Sequence, residues 1–325
     1  MAKFQRRDNY KDDFLKKVNA FLKAGILVVP NKDCLKGYFN GLVLIDRLTE
    51  RSFNLIGSEN AINNYILKEE INKNDRLKAI LADYRDNIKN KDYDTKLRFF
   101  DETKNDWFEI LKYGMQRDKE RKSSQKIALS NMTFEDENYS VCGWETTIGK
   151  DDSNLNKKPE IDLVVVNPSQ KEMILVEYKC KKESMLGEKQ DIFNHWEEYM
   201  QICKSANKDE PEIKNQLLKA FNVYRRIKEL PPIPEKDFGS FKVKVGFLFV
   251  DQTFDDKGTI VSSISEADYK KGRKRLTEKL SVSNHSLSDL SKTLYIRVRT
   301  ANNLELNSWK NLGKRFAYTV KPNNT

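Results

Sequence analysis

The chain has 325 residues, enough to bury a sizeable core in one large or two modest domains. A third of it is charged, but the 38% hydrophobic residues come in periodic blocks, which argues against a disordered polymer. Lys and Arg outnumber Asp and Glu by 59 to 49, a formal net charge of +10 that favours polyanionic partners without separating them from plain solubility.

The basic start, Met1 to Tyr10, has no following apolar h-region, and the run Ala24 to Val29 is too short to span a bilayer. No membrane role and a cytoplasmic location are therefore expected. Phe14, Val18, Phe21 and Leu22 fall at helical spacing. So do Leu77, Ile80, Leu81, Tyr84 and Ile88, behind a candidate cap at Asn74. Residues 1–96 are thus expected to form a mainly helical region serving recognition, regulation or assembly. The polar stretch Asn87 to Thr95 marks a boundary before a second domain at 97–325.

Trp107, Ile110 and Leu111 open a helical segment, and a basic helix is expected over Arg117 to Asn131. Three strand candidates follow: Tyr139 to Ile148, the β-branched run Ile161 to Val166 ended by Asn167-Pro168, and Met173 to Cys180. A tight turn over Asn167 to Glu172 makes them consecutive and antiparallel. Helices are expected over Glu188 to Lys204, with the stripe Ile192, Trp196, Tyr199, Met200 and Cys203, and over Glu212 to Leu230, stopped by Pro231-Pro232. Phe241 to Val250 and Leu294 to Val298 are further strands. Near-continuous apolar strands separated by helices imply an α/β fold with its sheet covered on both faces.

The four cysteines form no CxxC pair, so neither a zinc ribbon nor a disulfide framework is indicated; Cys180 and Cys203 are expected as buried thiols. Two histidines, His195 and His285, supply a His-rich metal site or a nucleophilic triad poorly. No Gly-rich phosphate loop is present. The chemistry concentrates in Pro159-Glu160-Ile161-Asp162 and Glu177-Tyr178-Lys179. On a strand, Met173, Leu175, Glu177 and Lys179 share one face, which begins apolar and ends charged. A hairpin turn would carry Asp162 to the end of the next strand, beside Glu177. Paired carboxylates make a hard oxygen site for Mg²⁺, and a lysine beside them acts on a phosphate.

This arrangement resembles the PD-(D/E)XK nuclease superfamily over about Trp107 to Asp251. The resemblance implies a restriction-endonuclease-like αβββαβ core, a mixed central sheet flanked by helices. By that resemblance Asp162 and Glu177 are metal ligands and Lys179 is the catalytic lysine. The chain departs from the literal pattern in having Glu160 and Ile161 between Pro159 and Asp162. A further acid comes from Glu145 or Glu120, and a helper on the next helix from Gln190, Tyr199 or Gln201. The implied activity is Mg²⁺-dependent phosphodiester hydrolysis, with Mn²⁺ able to substitute, on DNA, with RNA as an alternative. A setting in restriction, phage defence or repair, with a homo-oligomer or defence-system partner proteins, follows by analogy alone. A silent binding module on the same fold is the alternative reading. Lys181, Lys182, Lys271 and Arg273 are candidate backbone contacts, the last two in the basic run Tyr269 to Arg275. Their bland counterpart is a solvated face. His195 reads as a partly buried structural histidine, and Trp144 and Trp196 as core.

Overall fold

The computed structural model describes residues 9–31, 34–55, 73–114, 119–147, 160–180, 192–208, 211–254, 260–282, 293–300, 306–307 and 309–311. It is an α/β chain in two compact units. One comprises Lys126–Arg225 and Leu230–Thr325 with Met1–Phe4, and the other Gln5–Gln125 with Arg226–Glu229.

In the smaller unit, helix α1 (Asp12–Lys23) buries Phe14, Leu15, Val18 and Phe21 at the expected spacing. Four short antiparallel strands follow, β1 (Leu27–Pro30), β2 (Leu35–Phe39), β3 (Leu42–Leu48) and β4 (Asn54–Leu55), in the order β1-β2-β3-β4. Helix α2 (Asp75–Asp83) begins at Asn74, whose side chain accepts from the Leu77 N–H. Helix α3 (Tyr93–Gly114) starts inside the stretch read as a boundary. Its Phe100 packs on Phe21, and its Trp107 meets Tyr84 edge-on.

The expectation of a mainly helical 1–96 therefore missed a sheet, and the division between units falls at Gln125/Lys126, inside α4 (Lys119–Ser130), rather than at 96/97. Asn40-Gly41 was the available signal. Both residues have positive φ, +56° and +83°, as the two-residue hairpin turn between β2 and β3 requires. The turn is clamped by Gln125, whose Nε2 donates to the Tyr38 carbonyl while its Oε1 accepts from the Gly41 N–H.

The larger unit is built on a seven-stranded mixed sheet. Strands β5 (Ser140–Thr147), β6 (Glu160–Asn167) and β7 (Glu172–Lys179) form the expected antiparallel meander. The turn between β6 and β7 closes with Lys171 N–H donating to the Pro168 carbonyl, and Asn167 Oδ1 accepts from the Gln170 N–H. Helices α5 (Ile192–Lys208) and α6 (Pro211–Ile227) carry the chain to β8 (Lys242–Phe254), which lies parallel to β7. Then come β9 (Ile260–Ser263), antiparallel to β8, helix α7 (Glu266–Val282), β10 (Thr293–Thr300), parallel to β8, and β11 (Lys310–Asn311). The order along the sheet is β11-β10-β8-β7-β6-β5. On β6 and β7 both alternating sets of side chains are buried from Leu163 to Val166 and from Met173 to Lys179, so the centre of the sheet is covered on both faces.

Trp144 and Trp196 are core residues, as read, and all four cysteines are free and buried. The buried Arg225 of α6 donates to the carbonyls of Phe134 and Pro231 and pairs with Asp136, tying the segments on either side of it in the chain, 131–139 and 228–234, to α6. Among the described residues no helix is long and apolar enough to cross a membrane.

On the face of β8 away from α5, Gly246 leaves room for Trp309. A Cβ built there would stand 2.6 Å from Ile174 Cγ2 and 2.8 Å from the Trp309 ring. Gly246→Ala is therefore expected to destabilise the larger unit by about 1–3 kcal/mol through overpacking, read as a lower urea midpoint with an unchanged slope.

Candidate functional site

The acidic site forms at one end of β6 and β7. Their ladder pairs Leu163 with Val176, so one step further Asp162 stands opposite Glu177. There the strands part, and the Asp162 carboxylate takes over the pairing: its Oδ2 accepts from the Tyr178 N–H at 2.7 Å. Side-chain alternation on β7 puts Glu177 and Lys179 on one face. The Lys179 ammonium donates to Glu177 Oε1, and both side chains are almost fully buried.

Helix α5 completes the site. It is pinned to the sheet at three places. Trp196 Nε1 donates to Thr293 Oγ1 on β10 at 2.9 Å. Asn207 exchanges two hydrogen bonds with the backbone of Val243 on β8. Tyr199 Oη accepts from the Asp162 N–H and donates to the Glu160 carbonyl, both at 3.1 Å, closing the open end of β6. One turn before Tyr199, and so on the same helix face, His195 brings Nδ1 to 3.1 Å from Glu177 Oε1. About a third of the His195 side chain is exposed, so its ring connects the buried acid with the surface.

The electrostatics of the two acids diverge. Burial disfavours charge on Glu177, but its contacts with the Lys179 ammonium and with His195 outweigh it and hold its carboxyl down at about 2. Burial and the charge of Glu177 raise Asp162 well above the ordinary carboxylate value, with a smaller push from Glu145. Lys179 and the Tyr178 N–H only partly oppose this. The same two factors, burial and the neighbouring carboxylates, raise the Tyr199 phenol. The site thus carries more negative charge than its own cations neutralise comfortably.

Glu145, expected as a further acid, lies across β5–β6 between the paired positions Trp144/Leu163 and Thr146/Ile161, level with Asp162. Its φ of +46° is a left-handed conformation that costs a non-glycine residue on the order of 1 kcal/mol or more. Glu120 lies in α4, but its side chain falls outside the described residues, as do Pro159, Lys181, Lys182 and Gln190. Gln201 is exposed on α5. Lys271 and Arg273 lie on α7, with Lys271 exposed and the Arg273 side chain outside the described residues. The structure thus brings together Asp162, Glu177, Lys179, Glu145 and, of the three helper candidates, Tyr199, and adds His195. His195 was read as structural. The signal that could have found it was its placement four residues before Tyr199 on the helix following the acids.

Asp162 and Glu177 offer only hard carboxylate oxygens, and the buried Glu177 Oε2 has no hydrogen-bond partner among the described residues. An orphaned carboxylate oxygen beside a second acid fits a Mg²⁺ ion, which needs one or two carboxylates and completes its shell with water or phosphate oxygens. Among the described residues there is no group of three or more His, Cys, Asp or Glu side chains placed to hold a metal by themselves. No family model, curated protein or solved structure matches the chain.

Asp162→Asn keeps an acceptor for the Tyr178 N–H while removing the charge that burial and Glu177 oppose. The metal-free variant is expected to be more stable than the parent by about 1 kcal/mol at neutral pH, seen as a higher thermal midpoint in EDTA. An unchanged or lower midpoint would mean that the two carboxylates do not strain each other.

Proposed function

We propose that the chain is a Mg²⁺-dependent nuclease of the PD-(D/E)XK type that hydrolyses phosphodiester bonds, with DNA as its substrate. The observation that carries this reading is the meeting of Asp162 and Glu177 across β6–β7 with Lys179 in contact with Glu177. The order of elements supports it: a helix, an antiparallel three-strand meander, helices, then a strand parallel to the third. This order agrees with the αβββαβ arrangement which the sequence resemblance implies, with a second helix, α6, added before the last strand.

Asp162 and Glu177 would hold the metal, with Glu145, level with Asp162 on the neighbouring strand, as a further acid. Bound Mg²⁺ supplies a lowered water pKa and polarisation of the phosphate. The chain's own residues do the rest. With a cation on the carboxylates, the Lys179 ammonium would be placed to orient the attacking water or to meet the charge that develops on the phosphate. His195 and Tyr199 keep Glu177 and the end of β6 in place, and the surrounding core excludes bulk water.

The test is cleavage of plasmid and oligonucleotide substrates, DNA and RNA, with Mg²⁺, with Mn²⁺ and with EDTA. Activity is expected with either metal and to vanish in EDTA. Lys179→Ala is expected to lower the rate by about a hundredfold or more. An inactive parent under every metal and substrate would overturn the enzymatic reading.

One observation favours a silent nucleic-acid-binding module instead: Glu177 Oε1 already has Lys179 and His195 as partners without a metal. Calorimetry with Mn²⁺ separates the two. An active site binds the ion and loses affinity on Asp162→Asn; a silent one binds nothing.

A further inference from the structure

Strands β7, β8 and β10 run parallel, so their C-terminal ends lie side by side. Phe249 is the register partner of Lys179, and Arg297 that of Phe249. Parallel register partners share a sheet face, so Lys179, Phe249, Asp251 and Arg297 all face the side on which α5 packs. Helix α7 lies on that side too. Its buried Tyr269 meets Phe249 edge-on with ring centroids 5.2 Å apart, and it touches α5.

Arg297 fastens the start of α7. It binds Asp251 through two nitrogens, at 2.9 and 3.1 Å, and Glu266 through the third, with its guanidinium 4.1 Å from the centre of the Tyr269 ring. The acids of the first turn are thereby engaged: Glu266 by Arg297, and Asp268 by Ser265 Oγ at 2.6 Å. Lys271 forms no ion pair among the described residues. Lys270 and Lys274 stand 3.7 and 3.6 Å from Glu266 and Glu278, in exposed pairs that add little. Lys271 and Lys274 are both exposed and lie at the i, i+3 spacing of one helix face. This face is rooted about two strand spacings, roughly 10 Å, from β7.

We propose that the basic face of α7, with Lys271 and Lys274, is a rail for the phosphate backbone of the nucleic acid that enters the Asp162–Glu177–Lys179 site. The proposal rests on the nuclease reading for its direction: a strand whose reacting phosphate lies at Lys179 continues within reach of α7. The first-turn acids, which would repel a polyanion, are held by Arg297 and Ser265. The exposed cations are left to exchange their counterions for phosphates.

The experiment is fluorescence anisotropy of the full chain with a labelled DNA duplex of about three helical turns, in EDTA so that no cleavage occurs, across a salt series. Lys271→Ala/Lys274→Ala is compared with Lys236→Ala/Lys242→Ala. The control removes the same charge from exposed positions before and at the start of β8, at the opposite end of the parallel strands. The α7 pair is expected to weaken binding about tenfold or more near 0.1 M salt and to make the salt slope shallower by about 2, while the control stays within about twofold. Equal losses from both pairs, no loss from either, or no binding of the duplex by the parent would each overturn the rail. The nuclease reading is scored separately, by cleavage in Mg²⁺. A parent that cleaves but ignores the α7 substitutions refutes only the rail. One that binds through α7 and never cleaves refutes only the nuclease.

Discussion

The buried contact between Glu177 and Lys179 is the constraint around which the larger unit is arranged. Two charges out of water cost several kcal/mol each unless their remaining valences are met. The sequence places them two residues apart on one strand, so each is always available to the other. The strand delivers them to the end of the sheet, where its apolar face gives out. Everything else near them deals with the acid that is left over. Asp162 is held by a backbone N–H from the neighbouring strand, Tyr199 seals the end of β6, and His195 adds a second donor to Glu177. A site this well fixed and this poorly neutralised is poised to accept a cation, and that supports the proposed metal-dependent chemistry.

Much of this arrangement was written locally. The β-branched run of β6, the change from apolar to charged along β7 and the turn after Asn167 each follow from residue type and period 2 alone. Together they specify the opposition of Asp162 and Glu177. The helices α5 and α6 were equally plain from their stripes. What was not legible depends on tertiary placement. Whether His195 faces Glu177 or solvent turns on how α5 is rotated against the sheet. That rotation is set by Trp196, Tyr199 and Asn207 finding partners on three different strands. The buried Arg225 could not be read either, since its acceptors are carbonyls, which every residue possesses.

The small sheet of the N-terminal unit escaped for a different reason. Its strands have two to seven residues, too few for period 2 to stand out from period 3.6, and β1 is buried on both faces and so does not alternate at all. Only the Asn40-Gly41 turn carries an unambiguous local signal. The helices on either side, with longer and cleaner stripes, dominated the reading of the region.

The hairpin that joins Asp162 to Glu177 also has a place in time. Its two strands are separated by four residues, and such a pairing forms on the microsecond scale. The parallel pairing of β7 with β8 must wait for α5 and α6 to be made and folded back, because the partners Glu172 and Lys242 stand far apart in the chain. The two carboxylates therefore meet early, before α5 can bring His195 or Tyr199 to them, and the one cation certain to be present at that moment is Lys179 on the same strand. Its position two residues from Glu177 gives the nascent hairpin an internal counter-ion, so the lysine proposed for the chemistry of the finished site also eases the assembly of its acids.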